Sequence, residues 1–126
     1  MKKSITILTF ILLVNLMFAQ KEKTIYLQES MKFTYPDMCI KAKIPAIVKV
    51  TFDVVNLKAQ NIRFETNKQG MFELINEATI SNIDSLIFVN DTIGYTLTID
   101  YVLKENVSNN YIEYIEPGHI KAVFKI

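Results

Sequence analysis

The stretch Tyr95-Thr96-Leu97-Thr98-Ile99-Asp100-Tyr101-Val102-Leu103 decides the fold. Tyr95, Leu97, Ile99, Tyr101 and Leu103 are large and apolar, whereas Thr96, Thr98 and Asp100 between them are polar. Successive side chains of a strand point to opposite faces, so this period of two predicts a strand with one buried and one wet face. A wet face in turn implies an antiparallel sheet, because parallel sheets are normally covered on both sides. Val48, Val50, Phe52 and Val54 alternate with Lys49, Thr51 and Asp53 and predict a second strand of the same kind. Asn56 to Asn61 is a polar break, and Ile62 and Phe64 flanking Arg63 supply a returning strand. The pair reads as a hairpin, although the Asn-Gly or Asp-Gly dipeptide that favours such turns is missing.

Helical signals lie on either side of this hairpin. Tyr35-Pro36-Asp37 is a helix start, since Pro is tolerated in a first turn and Asp favours the positive end of the helix dipole. Met38, Cys39 and Ala42 can share one face of a helix of about two turns before Pro45 ends it. Gly70 opens a longer stretch in which Met71, Leu74, Ile75, Ala78 and Asn82 recur at spacings of three and four, with Phe72 and Ile80 widening the apolar face. Upstream, Thr24–Leu27 can form a short strand. Downstream, Ser85 to Val89 is a short strand or a buried connection. Asn106 to Asn110 is a turn, and Tyr111–Ile115 and Ile120–Ile126 form a final hairpin across Glu116-Pro117-Gly118-His119. The expected fold class is α+β: a small antiparallel sheet with a short and a longer helix on one face, and an extra C-terminal hairpin.

The chain has 126 residues, half of them apolar, with six Tyr, eight Phe, three Gly, three Pro, one Cys and one His. Length fits one domain, and the apolar and aromatic content excludes a disordered or fibrous chain. A formal charge of +1 is no footprint for nucleic acid. A single Cys cannot form an internal disulfide, and one Cys with one His does not make a zinc site. The expectation is no metal and no cofactor.

The first residues differ from the rest. Met1-Lys2-Lys3-Ser4 is basic, Ile5 to Phe18 is apolar, and Ala19-Gln20 leads into Lys21-Glu22-Lys23. A basic head, an apolar run shorter than the about 20 residues that span a bilayer, and a small residue before the polar switch describe a signal peptide. The expectation is a bacterial-style signal at residues 1–19 cut between Ala19 and Gln20, a lead-in segment over 20–32 and a domain over 33–126. Removing nineteen residues and two lysines leaves 126 − 19 = 107 residues at +1 − 2 = −1. The mature chain is then periplasmic or secreted. An uncleaved segment would instead anchor it to the inner membrane, the one case in which a membrane enters.

Tyr35-Pro36-Asp37-Met38-Cys39-Ile40-Lys41-Ala42-Lys43-Ile44-Pro45-Ala46-Ile47-Val48 resembles the opening of the TonB C-terminal domain. Val50–Val54, Asn61–Phe64, Gly70–Ile83 and Tyr95–Leu103 follow the order of that family's first two strands, helix and third strand, so the resemblance covers about residues 33–104. Cys39 replaces a small residue, Ala46 a Gly, and Asn56-Leu57-Lys58 an Asp-Gly turn. The chain also lacks the family's Pro-rich spacer and carries the extra hairpin. The resemblance implies a protein-binding module of the cell envelope that adds an extended segment, such as one from an outer-membrane receptor, to a sheet edge, with a link to TonB-dependent transport. The edge it implies is the strand of Tyr95, Leu97, Ile99, Tyr101 and Leu103. If the last hairpin covers that strand, the edge passes to Ile120, Ala122 and Phe124, where Lys121 and Lys125 discourage unwanted pairing.

Catalytic readings are thin. His119 follows Pro117-Gly118 and reads as a turn histidine, with no Ser-His-Asp or Cys-His set around it. Cys39 reads as a buried thiol, and Asp84, Asp91 and Asp100 as turn residues rather than a carboxylate cluster. Tyr101, Tyr111 and Tyr114 could form an aromatic patch or simply pack across strands. The expectation is a binding module and no enzyme. The alternative is a secreted structural or inhibitor-like domain that keeps the fold without transport activity, with a homodimer left open.

Overall fold

The computed structural model describes residues 25–26, 32–65 and 72–126. The expected signal peptide with its Ala19-Gln20 junction, most of the lead-in segment, and Gly70 and Met71 lie outside the described residues. The elements in chain order are β1 (Ile25–Tyr26), α1 (Asp37–Lys41), β2 (Ala46–Val55), β3 (Lys58–Phe64), α2 (Phe72–Asp84), β4 (Ile87–Phe88), β5 (Thr92–Lys104), β6 (Tyr111–Glu116) and β7 (His119–Lys125). Five strands form one sheet in the order β3-β2-β5-β7-β6, and β1 with β4 forms a separate two-stranded ladder. The class is α+β, and every neighbouring pair is antiparallel except β5 with β7.

That parallel pair departs from the expected all-antiparallel sheet. The chain leaves β5 at Lys104, passes over the end of β7, descends as β6 and returns as β7 between the two. The bridging loop spans two strand spacings, about 10 Å. It is fastened at both sides: the Lys125 N–H donates to Asn110 Oδ1 at 2.8 Å, and the Ile126 N–H to the Lys104 carbonyl at 3.0 Å. Burial favours this order. Ala122, Val123 and Phe124 are consecutive and all buried, so β7 is covered on both faces, as an interior strand requires.

The core lies on one face of the sheet. Val48, Val50, Phe52 and Val54 of β2, Leu97, Ile99 and Tyr101 of β5, and Ile120, Ala122 and Phe124 of β7 are all buried there. Tyr35 stacks over Tyr101 and Phe124 with ring centroids at 4.7 and 5.5 Å, arrangements that add about 0.5–1.5 kcal/mol each beyond the area they bury. Phe88 of β4 meets the Phe52 ring edge-on at 5.7 Å.

Helix α2 buries part of the expected stripe, Ile75 and Asn82, and adds Thr79 and Ile83 to it. Ile75, Thr79, Asn82 and Ile83 are buried, while Leu74 and Ile80 are exposed. Two polar residues take the inner face because Tyr101 is waiting for them. Asn82 Nδ2 donates to the Tyr101 hydroxyl at 3.0 Å, and Thr79 Oγ1 lies 2.7 Å from the same hydroxyl. Thr79 gives its own proton to the Ile75 carbonyl, so Tyr101 must donate to Thr79. Asn82 also accepts from the Thr34 N–H at 2.8 Å and donates to the Thr34 carbonyl at 2.9 Å, fixing the lead-in chain like a strand neighbour. Helix α1 is shorter than expected, and only Cys39 of it is buried.

The β2–β3 turn is tighter than the polar break suggested. It consists of Asn56 and Leu57 alone, both left-handed at φ 53° and 61°, the sign pattern of a type I′ turn. Leucine in that region costs about 1–2 kcal/mol. The Asp91 carboxylate accepts both turn amides, from Asn56 at 3.1 Å and Leu57 at 2.9 Å.

Candidate functional site

The strand Tyr95–Leu103 is not an edge. It lies in β5, paired with β2 on one side and β7 on the other, so its backbone groups are spent in two ladders. Leu97, Ile99 and Tyr101 are fully buried; Tyr95 and Leu103 are half-buried against the same core. The fallback edge is corrected as well. Ile120, Ala122 and Phe124 belong to β7, which is closed by β5 and β6. Among the described residues the free edges are instead β3 and β6.

These two edges differ. In β3 the register shifts between the partners of Thr51 and Asp53, and Asn61 at φ 52° carries the extra residue of a bulge. A second irregularity on the other side of Asp53 brings in Gly94 at φ 68°. Asp53 ties the two together: it accepts from the Gly94 N–H at 2.8 Å and from Asn61 Nδ2 at 3.1 Å, with Arg63 at 3.6 Å. The Gly94 bond first, then Asn61 and the Arg63 charge, hold its carboxyl below the ordinary range. A mid-strand bulge flanked by Lys58 and Arg63 is a common guard against edge pairing.

β6 has no such guard. Tyr111 to Tyr114 pair with β7 in unbroken register, and the one irregularity comes at Ile115 beside the turn. Its sequence, Tyr-Ile-Glu-Tyr-Ile-Glu, contains neither Lys nor Pro. Tyr111 and Ile115 are exposed, Ile112 and Tyr114 half-buried. The strand is held by a turn in which Pro117 precedes Gly118 at φ +79°, the pattern of a type II turn. A Cβ on Gly118 would lie 2.9 Å from the Thr96 carbonyl oxygen, so the turn requires glycine both for its φ and for space. The hydroxyls of Tyr95 and Tyr114 are buried without a partner in hydrogen-bond geometry among the described residues. Burial first, and the neighbouring Tyr114 next, push the Tyr95 phenol up to about 12.

A cleft of about 580 Å³ opens at the start of β6. Its apolar wall includes Phe33, Ile112 and Phe124, with Tyr111 beside them; Ser108 and Asn109 come from the bridging loop, and Lys32 and Lys125 are its charged residues. On the open face, Lys121 of β7 stands directly between Asp100 of β5 and Glu113 of β6. Lys125, by contrast, stands opposite Lys104. Among the described residues neither Lys32 nor Lys125 is in an ion pair.

The remaining candidates are dispersed. His119 begins β7 with its Nδ1 3.9 Å from Glu116 Oε1. Cys39 is buried, and burial pushes its thiol up. Asp91 clamps the β2–β3 turn, while Asp84 ends α2 and Asp100 lies on the open face of β5. The aromatic patch of Tyr101, Tyr111 and Tyr114 does not assemble, because Tyr101 is buried under α2 and Tyr111 faces the opposite side. Among the described residues no group of three or more His, Cys, Asp and Glu is placed to hold a metal, and no helix is long and apolar enough to cross a membrane.

The last hairpin lies where the sequence predicts it, but its outer strand is β6 and not β7. The apolar run Ala122-Val123-Phe124 was the available signal, since a strand with apolar residues on both faces belongs inside a sheet. No family model, no curated protein and no solved structure matches this chain.

Proposed function

We propose that this chain is an exported, non-enzymatic protein-binding module that captures an extended segment of a cell-envelope protein by adding it to the outer edge of β6. The observation that carries the reading is the contrast between the edges: β3 is bulged in mid-strand and cationic, while β6 is regular over Tyr111–Tyr114 and has no cation. Strand addition needs what β6 has, a row of backbone groups about 20 Å long that no described strand pairs, flanked by side chains that grip alternate residues. The basic, apolar and small-residue pattern ending at Ala19 supports export. The resemblance of residues 33–104 to the TonB C-terminal domain supports the mode of binding and a link to TonB-dependent transport, with the docking strand moved from β5 to the added hairpin.

The test is fluorescence anisotropy with a labelled extended peptide of alternating Thr and Val. The Tyr111→Lys/Ile115→Lys double variant, which gives β6 the cations that guard β3, is expected to bind about tenfold more weakly or worse. The Lys58→Ala variant at the other edge should bind like the parent. Equal binding by parent and double variant would contradict the proposal.

A further inference from the structure

Resting on strand capture at β6, we infer that the captured segment runs antiparallel to β6 and ends there, its free C-terminal carboxylate and apolar last side chain seated in the cleft at Tyr111. Two features of the edge set this direction. The strand itself carries only acidic charge, Glu113 near its middle and Glu116 at its far end, whereas its near end opens into a cleft whose charged residues are Lys32 and Lys125. An antiparallel strand brings its C-terminus to the near end and its N-terminal half to the glutamates. A parallel strand would set an ammonium among lysines.

The cleft is equipped for the end of a chain. A terminal carboxylate presents two oxygens where an internal residue presents one carbonyl, and charge-assisted bonds from ammonium groups are the strong ones. Lys121 has acidic register neighbours on both sides, Asp100 and Glu113, whereas Lys125 faces Lys104 and has no acidic neighbour across either ladder. A carboxylate would relieve that like-charge pair. Ser108 and Asn109 add hydroxyl and amide donors at the lip. Phe33, Ile112 and Phe124 offer the last side chain an apolar wall, and a volume of about 580 Å³ holds one large residue with room for its terminus.

The probe is acetyl-Lys-Val-Thr-Val-Thr-Phe, prepared as the free acid and as the C-terminal amide, titrated into the ¹⁵N-labelled chain. The acid is expected to shift the β6 amides and to bind about tenfold more tightly than the amide, an advantage that the Lys125→Met variant abolishes. A spin label on the probe's N-terminus should broaden the Glu116 end and spare Tyr111. Equal affinity of acid and amide, with β6 amides still shifting, would overturn this inference and leave strand capture standing. Broadening at Tyr111 would overturn the direction. Silence of β6 with both peptides, or a dimer sealed through β6 in sedimentation, would overturn strand capture itself.

Discussion

The sheet ends in two strands of almost equal length, seven residues in β3 and six in β6, each delivered by a hairpin. β3 is reached through a strained turn, Asn56-Leu57, that another part of the chain must hold in place through Asp91. It is then bent at Asn61 and studded with cations. β6 is joined to β7 by a turn built of the residues that prefer it, Pro117 and Gly118, and has neither a cation nor a mid-strand bulge. The lesson is that one edge is constrained against pairing at some conformational cost, whereas the other is left ready at little cost. Unused edges are a hazard that proteins suppress, so an unsuppressed edge beside a suppressed one points to use.

The largest effect should come from the β6 turn. Gly118→Ala puts a side chain at φ +79° and a carbon against the Thr96 carbonyl, and a loss of about 2–3 kcal/mol is expected, read as a fall in Tm of about 10 °C or more. If the edge hairpin folded independently of β5, the loss would be far smaller. Next, Tyr101→Phe removes the hydroxyl shared by Thr79 and Asn82 and should cost about 1–3 kcal/mol in urea titration, because both partners stay buried. On the β3 side, Asp91→Ala frees two turn amides to water and should cost only about 1 kcal/mol. Leu57→Gly should do the reverse, stabilising by about 1 kcal/mol at the same turn. A destabilising Leu57→Gly would mean that the exposed Leu57 side chain is held by a contact that matters more than its strained backbone.

The smallest effects are in pH dependence, and their signs differ between the two halves. Burial raises the phenols of Tyr95, Tyr101 and Tyr114 above their ordinary value of 10.0, Tyr95 to about 12. The unfolded chain ionises first, so stability is full below about pH 10 and falls as pH rises toward 12. Asp53, between the bulges near β3, is lowered from its ordinary 3.8. Its contribution is full above that value and is lost as pH falls through the folded value. Circular dichroism across both ranges should show Tyr95→Phe flattening the alkaline limb and Asp53→Asn the acid limb.

How much was legible follows from the same residues. Strands with strict alternation, β2 and β5, were readable because each has one wet face, and the class and most elements came with them. What was not readable depended on partners distant in sequence. Asn82 falls on the inner stripe by spacing but Thr79 does not, and nothing local gives either a buried partner until Tyr101 is placed beneath them. Asn56-Leu57 carries no glycine because Asp91, more than thirty residues away, stabilises its turn. The candidate edge was misplaced for a related reason: a hairpin can join a sheet through either strand, and alternation alone does not say which. The buried run at Ala122-Val123-Phe124 decides it.

Amide hydrogen exchange of the two edges, followed residue by residue with and without the free-acid peptide, tests the central claim most directly. Added peptide should slow exchange at alternate amides of Tyr111–Glu116 and leave Lys58–Phe64 unchanged. Protection appearing along Lys58–Phe64 while β6 exchanges as before would contradict the account.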